Sequence, residues 1–480
     1  MRILLAFAGS RGDAQPGVLL GRELWGRGHD VTVAVSPNLV EFAERHGVPA
    51  VPFGLDSDVL LRAQRDDRRF RHPNPLERGR ALVDLQRRGF REGRRDLRVL
   101  ADGHDIVVTG MACEEMAVEV AHHHDIPVAA VHFFPIRPSG AVPAIPTAWG
   151  RFIPGPLNRR VWQALTAARA WALAGEIAAL DGTAAASGSD LRFPAIARGS
   201  HPRQACEVAT IGRKSNRRSV RTDRDARIAI QAYDAGLFPG LANELRGLPF
   251  TGFPVLTDDF GPGAAPDRVG RPDSGTGAAD DRVLGPDPEL AEWLIAGTAP
   301  VYAGFGSMPV ADPVAVESMV REVGRRLGVR VLLVGTMFRG RIAPDLAVVD
   351  QVDHRAVLPL CGVAVHHGGA GTTAAVLRAG VPSVICSVQA DQPYWGRQLE
   401  ALGLGATAPF AGLTADRLER LLIRATTPEV RLRAAAYGAR FRDDGVRRAA
   451  DVVESLSPER PRPVLGTGEL SASTMIGGVR

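Results

Sequence analysis

Three short clusters in this chain hold the residue types that bind anions, clamp polyols and move protons. His366-His367-Gly368-Gly369-Ala370-Gly371-Thr372-Thr373 follows the apolar triplet Val363-Ala364-Val365. A strand that passes into a helix through glycines leaves backbone N–H groups free at the positive end of the helix dipole, which is a seat for phosphate. Thr372 and Thr373 stand at that helix start with hydroxyls available to the same anion; the other reading is a plain strand–helix turn with buried histidines. Asp391-Gln392 lies just past another strand, where a carboxylate beside an amide can hold a polyol through several hydrogen bonds. Near the N-terminus stands Gly9-Ser10-Arg11-Gly12-Asp13. Here glycines allow a tight turn, Ser10 and Arg11 can address phosphate, and Asp13 can either accept a proton or cap the next helix. The loop is not G-x-G-x-x-G, so the nicotinamide-dinucleotide fingerprint is absent.

The elements that must position these clusters are short strands alternating with helices. In the first half, strands are expected at 3–8, 31–35, 106–109 and 128–133, with a helix from Pro16 to about Arg27. Pro16 suits the first helical position because its φ is already fixed. The second half restarts with a strand at 300–305 and a turn at Gly306-Ser307. Further strands are expected at 331–334, 363–365 and 384–386, a helix from Thr372 to Ala379, and a last helix over 446–456. This rhythm predicts parallel sheets with right-handed crossovers, whose ligands gather at the carboxyl ends of the strands. Residues 182–227 and 261–281 break the rhythm and read as an irregular insertion and a flexible loop, with 248–254 as a connector. Residues after about 457 read as a disordered tail.

Composition narrows the function classes. A chain of 480 residues, 45% hydrophobic, is too long for one ordinary core and fits a globular α/β protein of two domains. No run of about 18 apolar residues suggests a membrane span, and the N-terminus lacks the pattern of a signal peptide, so the expected location is the cytoplasm. The four cysteines are scattered without a C-x-x-C pair, which argues against a zinc site or disulfide framework. His122-His123-His124 cannot place three ligands on one helical face, so no metal site is read there. The net charge is +5, but Lys214 is the only lysine. Between Arg62 and Arg98 arginines interleave with Asp66, Asp67, Glu77, Asp84, Glu92 and Asp96. That pattern reads as a solvated, salt-bridged face, with an anionic acceptor or a membrane surface as the alternative, and not as a nucleic-acid footprint.

Taken with Ala379-Gly380-Val381-Pro382 and Asp391-Gln392-Pro393-Tyr394-Trp395-Gly396, the histidine–glycine cluster resembles the donor-binding signature of family 1 glycosyltransferases. The loop at 9–13 with Gln15-Pro16 resembles the opening of the bacterial branch containing the glycopeptide-antibiotic and macrolide glycosyltransferases and the sterol glucosyltransferases. Gly304-Phe305-Gly306-Ser307-Met308-Pro309 is similar to the start of that family's C-terminal domain, and 443–456 resembles its closing helix. The resemblance implies the GT-B fold, with two Rossmann-like domains facing across a cleft. The acceptor domain would span 1–245, the nucleotide-sugar domain 246–440 and the closing helix 441–456, followed by a tail at 457–480.

The same resemblance carries roles onto matching positions. His366, with His367 beside it, would bind the donor diphosphate. Gly369, Gly371 and Thr372 would offer backbone and hydroxyl donors, and Ser307 would reach the nucleotide or phosphates. Val352 would meet the base through its backbone. Asp391 and Gln392 would hold sugar hydroxyls, and Ser10, Arg11 and Gly12 would approach the diphosphate from across the cleft. Asp13 would be the base. No metal or other cofactor is implied. His132, Phe133 and Phe134 follow a buried strand. They would line the acceptor cleft, or else His132 is a packed histidine and the two phenylalanines are core. The expected partners are a UDP- or dTDP-hexose and a hydrophobic acceptor. The expected activity is inverting transfer to an antibiotic-like aglycone, sterol or glycolipid. The competing readings are a nucleotide-sugar epimerase and a catalytically silent binding partner.

Overall fold

The computed structural model describes residues 1–72, 74–146, 149–180, 227–255, 288–306 and 312–456. The segments read as an insertion, a flexible loop and a tail lie outside these residues, except that Arg227 opens a strand.

The first sheet has six parallel strands: β1 (Arg2–Phe7), β2 (Asp30–Val35), β3 (Ala50–Pro52), β4 (Ile106–Gly110), β5 (Val128–His132) and β6 (Arg227–Gln231), in the order β3-β2-β1-β4-β5-β6. The central strands are buried along almost their whole length because helices cover both faces, which is why they read as unbroken apolar runs. Chain order reverses between β1 and β4, so the crevice at their carboxyl ends is the ligand position for this topology.

The second sheet contains β7 (Val301–Gly304), β8 (Val331–Val334), β9 (Arg341–Ile342), β10 (Leu346–Val349), β11 (Val363–His366), β12 (Ser383–Ser387) and β13 (Gly405–Pro409). Their order is β13-β12-β11-β7-β8-β10-β9, and only the edge strand β9 runs antiparallel. Here the reversal falls between β7 and β11, which places Gly306 and the two histidines at one crevice.

Seven helices bear on the site. Helix α1 (Arg11–Gly26) follows β1, α2 (Pro75–Leu100) and α3 (Glu114–His124) flank β4, and α4 (Gly155–Leu180) precedes β6. In the second half, α5 (Ala370–Arg378) follows β11, α6 (Gln392–Ala401) follows β12, and α7 (Gly445–Ser455) is last. Helix α1 starts five residues before Pro16, so the proline is interior and not the first helical residue. The hydrogen bond it cannot donate would have gone to Gly12, still within the loop-like first turns, where the loss is least costly.

Helix α7 crosses back to the first half. Ala449, Ala450 and Val453 join the core formed by β1 and α1, while Arg27 pairs with Asp451 at 2.7 Å and Glu454 at 2.8 Å. Arg448 donates to the carbonyls of Phe250 and Thr251 in the connector. A second apolar cluster mixes both halves, placing Phe134, Tyr233 and Phe238 against Trp395, Leu399 and Tyr437. The arginine-rich α2 region is salt-bridged: Arg69 meets Asp67 and Asp84, Arg80 meets Glu77, and the buried Arg94 holds Glu119 with two hydrogen bonds.

Candidate functional site

Gly9 has φ +132, and a side chain there would strike the Asp13 carboxylate, so glycine is required at the strand end. Ser10 is the N-cap of α1. Its N–H and hydroxyl both donate to Asp13 Oδ2, at 2.9 and 3.0 Å. Asp13 is therefore the third helical residue and closes a capping box with Ser10, instead of capping a helix that starts at Pro16, and its carboxylate keeps lone pairs beyond those two bonds. Burial raises the Asp13 carboxyl above its ordinary value, and the Ser10 bonds offset part of that rise. Arg11 is exposed and lies 4.9 Å over the Phe42 ring, and its charge is felt by His354 of the second half.

Across the crevice, β11 ends at His366 and α5 begins at Ala370, with Gly369 as N-cap and no side chain capping it. The N–H groups of residues 370–372 have no partner within the helix, and Gly371 is exposed. Gly368 has φ +92 and packs so closely on Ile385 that no side chain fits. The two histidines part company. His366 is wholly buried: its Nδ1 accepts from Gly368 N–H at 3.2 Å, and Nε2 lies 3.4 Å from Ser383 Oγ. That corrects the expectation of a direct diphosphate contact from His366, whose ring braces the loop from beneath. His367 is only partly buried, and its ring is wedged between Gly306 and Gly369. Its Nδ1 lies near the Gly304 carbonyl without forming a hydrogen bond. Burial lowers both imidazoles, to about 3 for His366 and about 4 for His367, with neighbouring histidines adding to the effect. Both rings are neutral at pH 7.

Asp391 precedes α6 at the end of the β12 loop, and its Oδ2 accepts from Trp395 Nε1 at 3.0 Å. Burial raises its pKa to about 6, opposed by the indole bond and reinforced by the charge of Asp13. The charge of Asp13 in the first half thus reaches Asp391 in the second. The Gln392 Oε1 accepts from Val388 N–H at 2.8 Å and Gln389 N–H at 3.2 Å, so the amide carbonyl holds the turn that leads into Asp391. Val352 is half-buried beside the core around Tyr302, in the irregular stretch before His354. Ser307 lies outside the described residues.

Three residues expected to line an acceptor cleft do not. His132 is completely buried, with Nε2 3.0 Å from Glu114 Oε2 and Nδ1 3.3 Å from Gln231 Nε2. Phe133 stacks on Phe7 in the first core, and Phe134 packs on Tyr394 and Trp395 between the halves. They are buried because the parallel sheet is covered on both faces. Trp162 is packed too, its indole N–H donating to Val142 O at 2.8 Å. Two residues escaped the sequence reading. Glu114, pulled far below the carboxylate range by His132, Arg137 and Arg227 despite its burial, anchors a polar network that no spacing announces. His354 Nε2 meets Tyr302 OH at 2.8 Å, a pairing between residues 52 apart.

Known proteins share this fold. The family described as Erythromycin biosynthesis protein CIII-like, C-terminal domain, matches residues 338–455. An uncharacterized glycosyltransferase of Mycobacterium tuberculosis is 34% identical over 446 residues, covering 92% of this chain and 95% of that protein. Among solved structures, the calicheamicin glycosyltransferase CalG4 superposes with a TM-score of 0.61 at 17% identity, covering 95% of this chain and 97% of that one. The Streptomyces sp. SF2575 glycosyltransferase SsfS6, crystallised with thymidine diphosphate, gives 0.53 at 20% identity, covering 95% and 99%. Two doubly wound domains, a shared crevice with an uncapped helix start on one side and a carboxylate on the other, and near full-length identity to a glycosyltransferase lead to one assignment. The chain belongs to the family 1 glycosyltransferases of GT-B fold and is akin to the antibiotic glycosyltransferases.

Proposed function

We propose that the chain transfers a hexose, with inversion, from a UDP- or dTDP-sugar to a hydroxyl of a lipophilic natural product. The carrying observation is the pairing across the crevice of Asp13, a carboxylate whose affinity for protons is raised by burial, with the bare N-terminus of α5. A general base works best when its pKa approaches the working pH, so the raised Asp13 suits proton removal from an acceptor hydroxyl. As the proton moves to Asp13, the hydroxyl oxygen attacks the anomeric carbon and the bond from that carbon to the diphosphate oxygen breaks. The departing nucleoside diphosphate gains negative charge. N–H groups of residues 370–372, the Thr372 hydroxyl, His367 and, from the opposite side, Arg11 receive it where it develops. The neutral His367 imidazole serves here as a hydrogen-bond donor and not as a cation. Asp391 accepts from sugar hydroxyls while Gln392 holds its loop, and Val352 and Ser307 meet the nucleotide. The thymidine diphosphate in a related structure supports a dTDP-sugar as one of the two donor classes.

The test is a thermal-shift screen of UDP, dTDP and their sugars, followed by mass spectrometry of reactions with hydrophobic alcohols. A hexose added to an acceptor, with the opposite anomeric configuration to the donor, is the expected product. If neither diphosphate binds, or if the product retains the donor configuration, the proposal is wrong.

A further inference from the structure

The described part of the loop between β5 and α4 is tied down by hydrogen bonds, yet it presents large apolar side chains to water. Asn158 is buried and clamps the loop from inside: its Oδ1 accepts from Ala144 N–H at 2.7 Å, and its Nδ2 donates to the carbonyls of Val142 and Ser139. Gly150 passes so close to the Ile145 carbonyl that no side chain fits there. On the outside, Trp149 is 80% exposed and Phe152 is 65% exposed, with ring centroids 6.3 Å apart. Ile145, Leu157 and Leu165 are also exposed, extending the apolar surface onto α4. A group of exposed apolar side chains that includes a tryptophan and a phenylalanine marks an interaction surface.

Charge identifies that surface. Residues 126–175 contain five arginines and no aspartate or glutamate. Three of the arginines reach acids elsewhere: Arg137 pairs with Glu114, Arg159 with Glu244 and Arg169 with Glu115. Arg160 is exposed on the same turn of α4 as Leu157. Exposed aromatic rings on a surface that also carries Arg160 suit the boundary of a lipid bilayer, where the rings enter at headgroup level and the guanidinium group meets anionic headgroups. The patch also borders the crevice, because the Ala144 carbonyl accepts from Tyr394 OH at 2.8 Å, at the junction of the two halves.

We infer that the loop carrying Trp149 and Phe152, with Arg160, docks this protein on an anionic phospholipid surface. The inference extends the reading of a lipophilic acceptor, since docking there places the crevice where such molecules partition. It concerns a surface and adds no step to the chemistry.

The test is co-sedimentation of the full chain with vesicles of phosphatidylcholine alone or with about one-third phosphatidylglycerol, in low and high salt. Retention on the anionic vesicles that weakens in high salt is expected. The double substitution Trp149→Ser and Phe152→Ser should reduce partitioning roughly tenfold or more, by the loss of two inserted rings. Arg160→Ala should reduce it about fivefold. Both variants should keep the wild-type melting temperature, because these side chains are exposed. No retention of the wild type, equal retention on neutral vesicles, or unchanged retention of the double variant would overturn the inference. So would sedimentation velocity showing a dimer that the double substitution abolishes while vesicle retention persists, which would assign the patch to a second copy of the chain. The assay contains no sugar donor or acceptor. A negative result therefore leaves glycosyl transfer intact, and failure to find transfer leaves the vesicle result intact.

Discussion

Asp391 accepts the indole N–H of Trp395 at 3.0 Å, tying the sugar-side carboxylate to the aromatic cluster that joins the two halves. Trp395 is fully buried there, in contact with Phe134, Tyr233 and Phe238 from the first half. The site and the inter-domain packing consequently share a residue pair, and what burial does to Asp391 is felt by the whole molecule.

A carboxyl whose folded pKa is raised to about 6 favours folding below its unfolded value and loses that advantage as pH rises through 6. The ionised Asp391 should therefore cost the unliganded protein up to about 3 kcal/mol at pH 8. Asp391→Asn, which retains an acceptor for Trp395, is expected to raise the melting temperature at pH 8 and to change it little at pH 4. Sugar transfer should fall in the same variant. Equal melting shifts at both pH values would contradict the assignment.

Asp13→Asn should cut turnover by about 100-fold or more while leaving nucleotide affinity nearly unchanged. Ser10→Ala removes one of the two bonds that lower the Asp13 pKa, so the acid limb of the pH–rate profile should move upward. Turnover that survives in Asp13→Asn would remove Asp13 from proton transfer.

The two neighbouring histidines should separate experimentally. His367→Ala is expected to weaken diphosphate binding by about tenfold, the loss of roughly one hydrogen bond to a charged group, with a small change in melting temperature. His366→Ala should weaken binding and stability together, since it leaves a void beneath α5 and removes the acceptor for Gly368 N–H. Calorimetric titration with dTDP or UDP, alongside thermal unfolding, distinguishes the two patterns.

Glu114→Ala strips the buried carboxylate from His132, Arg137 and Arg227 and should cost about 3–5 kcal/mol. Because the Glu114 pKa is lowered on folding, its contribution is present above the ordinary carboxylate range and disappears as pH falls through the depressed value. Urea unfolding at neutral pH measures the loss, which should shrink in acid.

Much of the fold is legible in local sequence. The strands at 331–334 and 363–366 and the helix at 445–455 lie where hydrophobic period places them, because burial of a strand or helix face fixes residue type position by position. The glycines at 9 and 368 announce the two turns for an equally local reason, a positive φ with no room for a side chain. The start of α1 was less visible, since Ser10 and Asp13 settle it by hydrogen bonds that outweigh the signal of Pro16.

What only the tertiary structure decided is which polar groups face the crevice. Nothing local separates His366 from His367, yet one lies beneath α5 and the other against the Gly306 turn. The β12 loop engages the Gln392 amide oxygen, and Glu114 takes His132 into the core, leaving the packed reading of that histidine as the one the structure supports. Sequence sets the chemical types and the backbone path because those depend on near neighbours. Orientation, burial and the effect of the Asp13 charge on Asp391 depend on chain segments hundreds of residues apart, and only packing the two sheets together determines them.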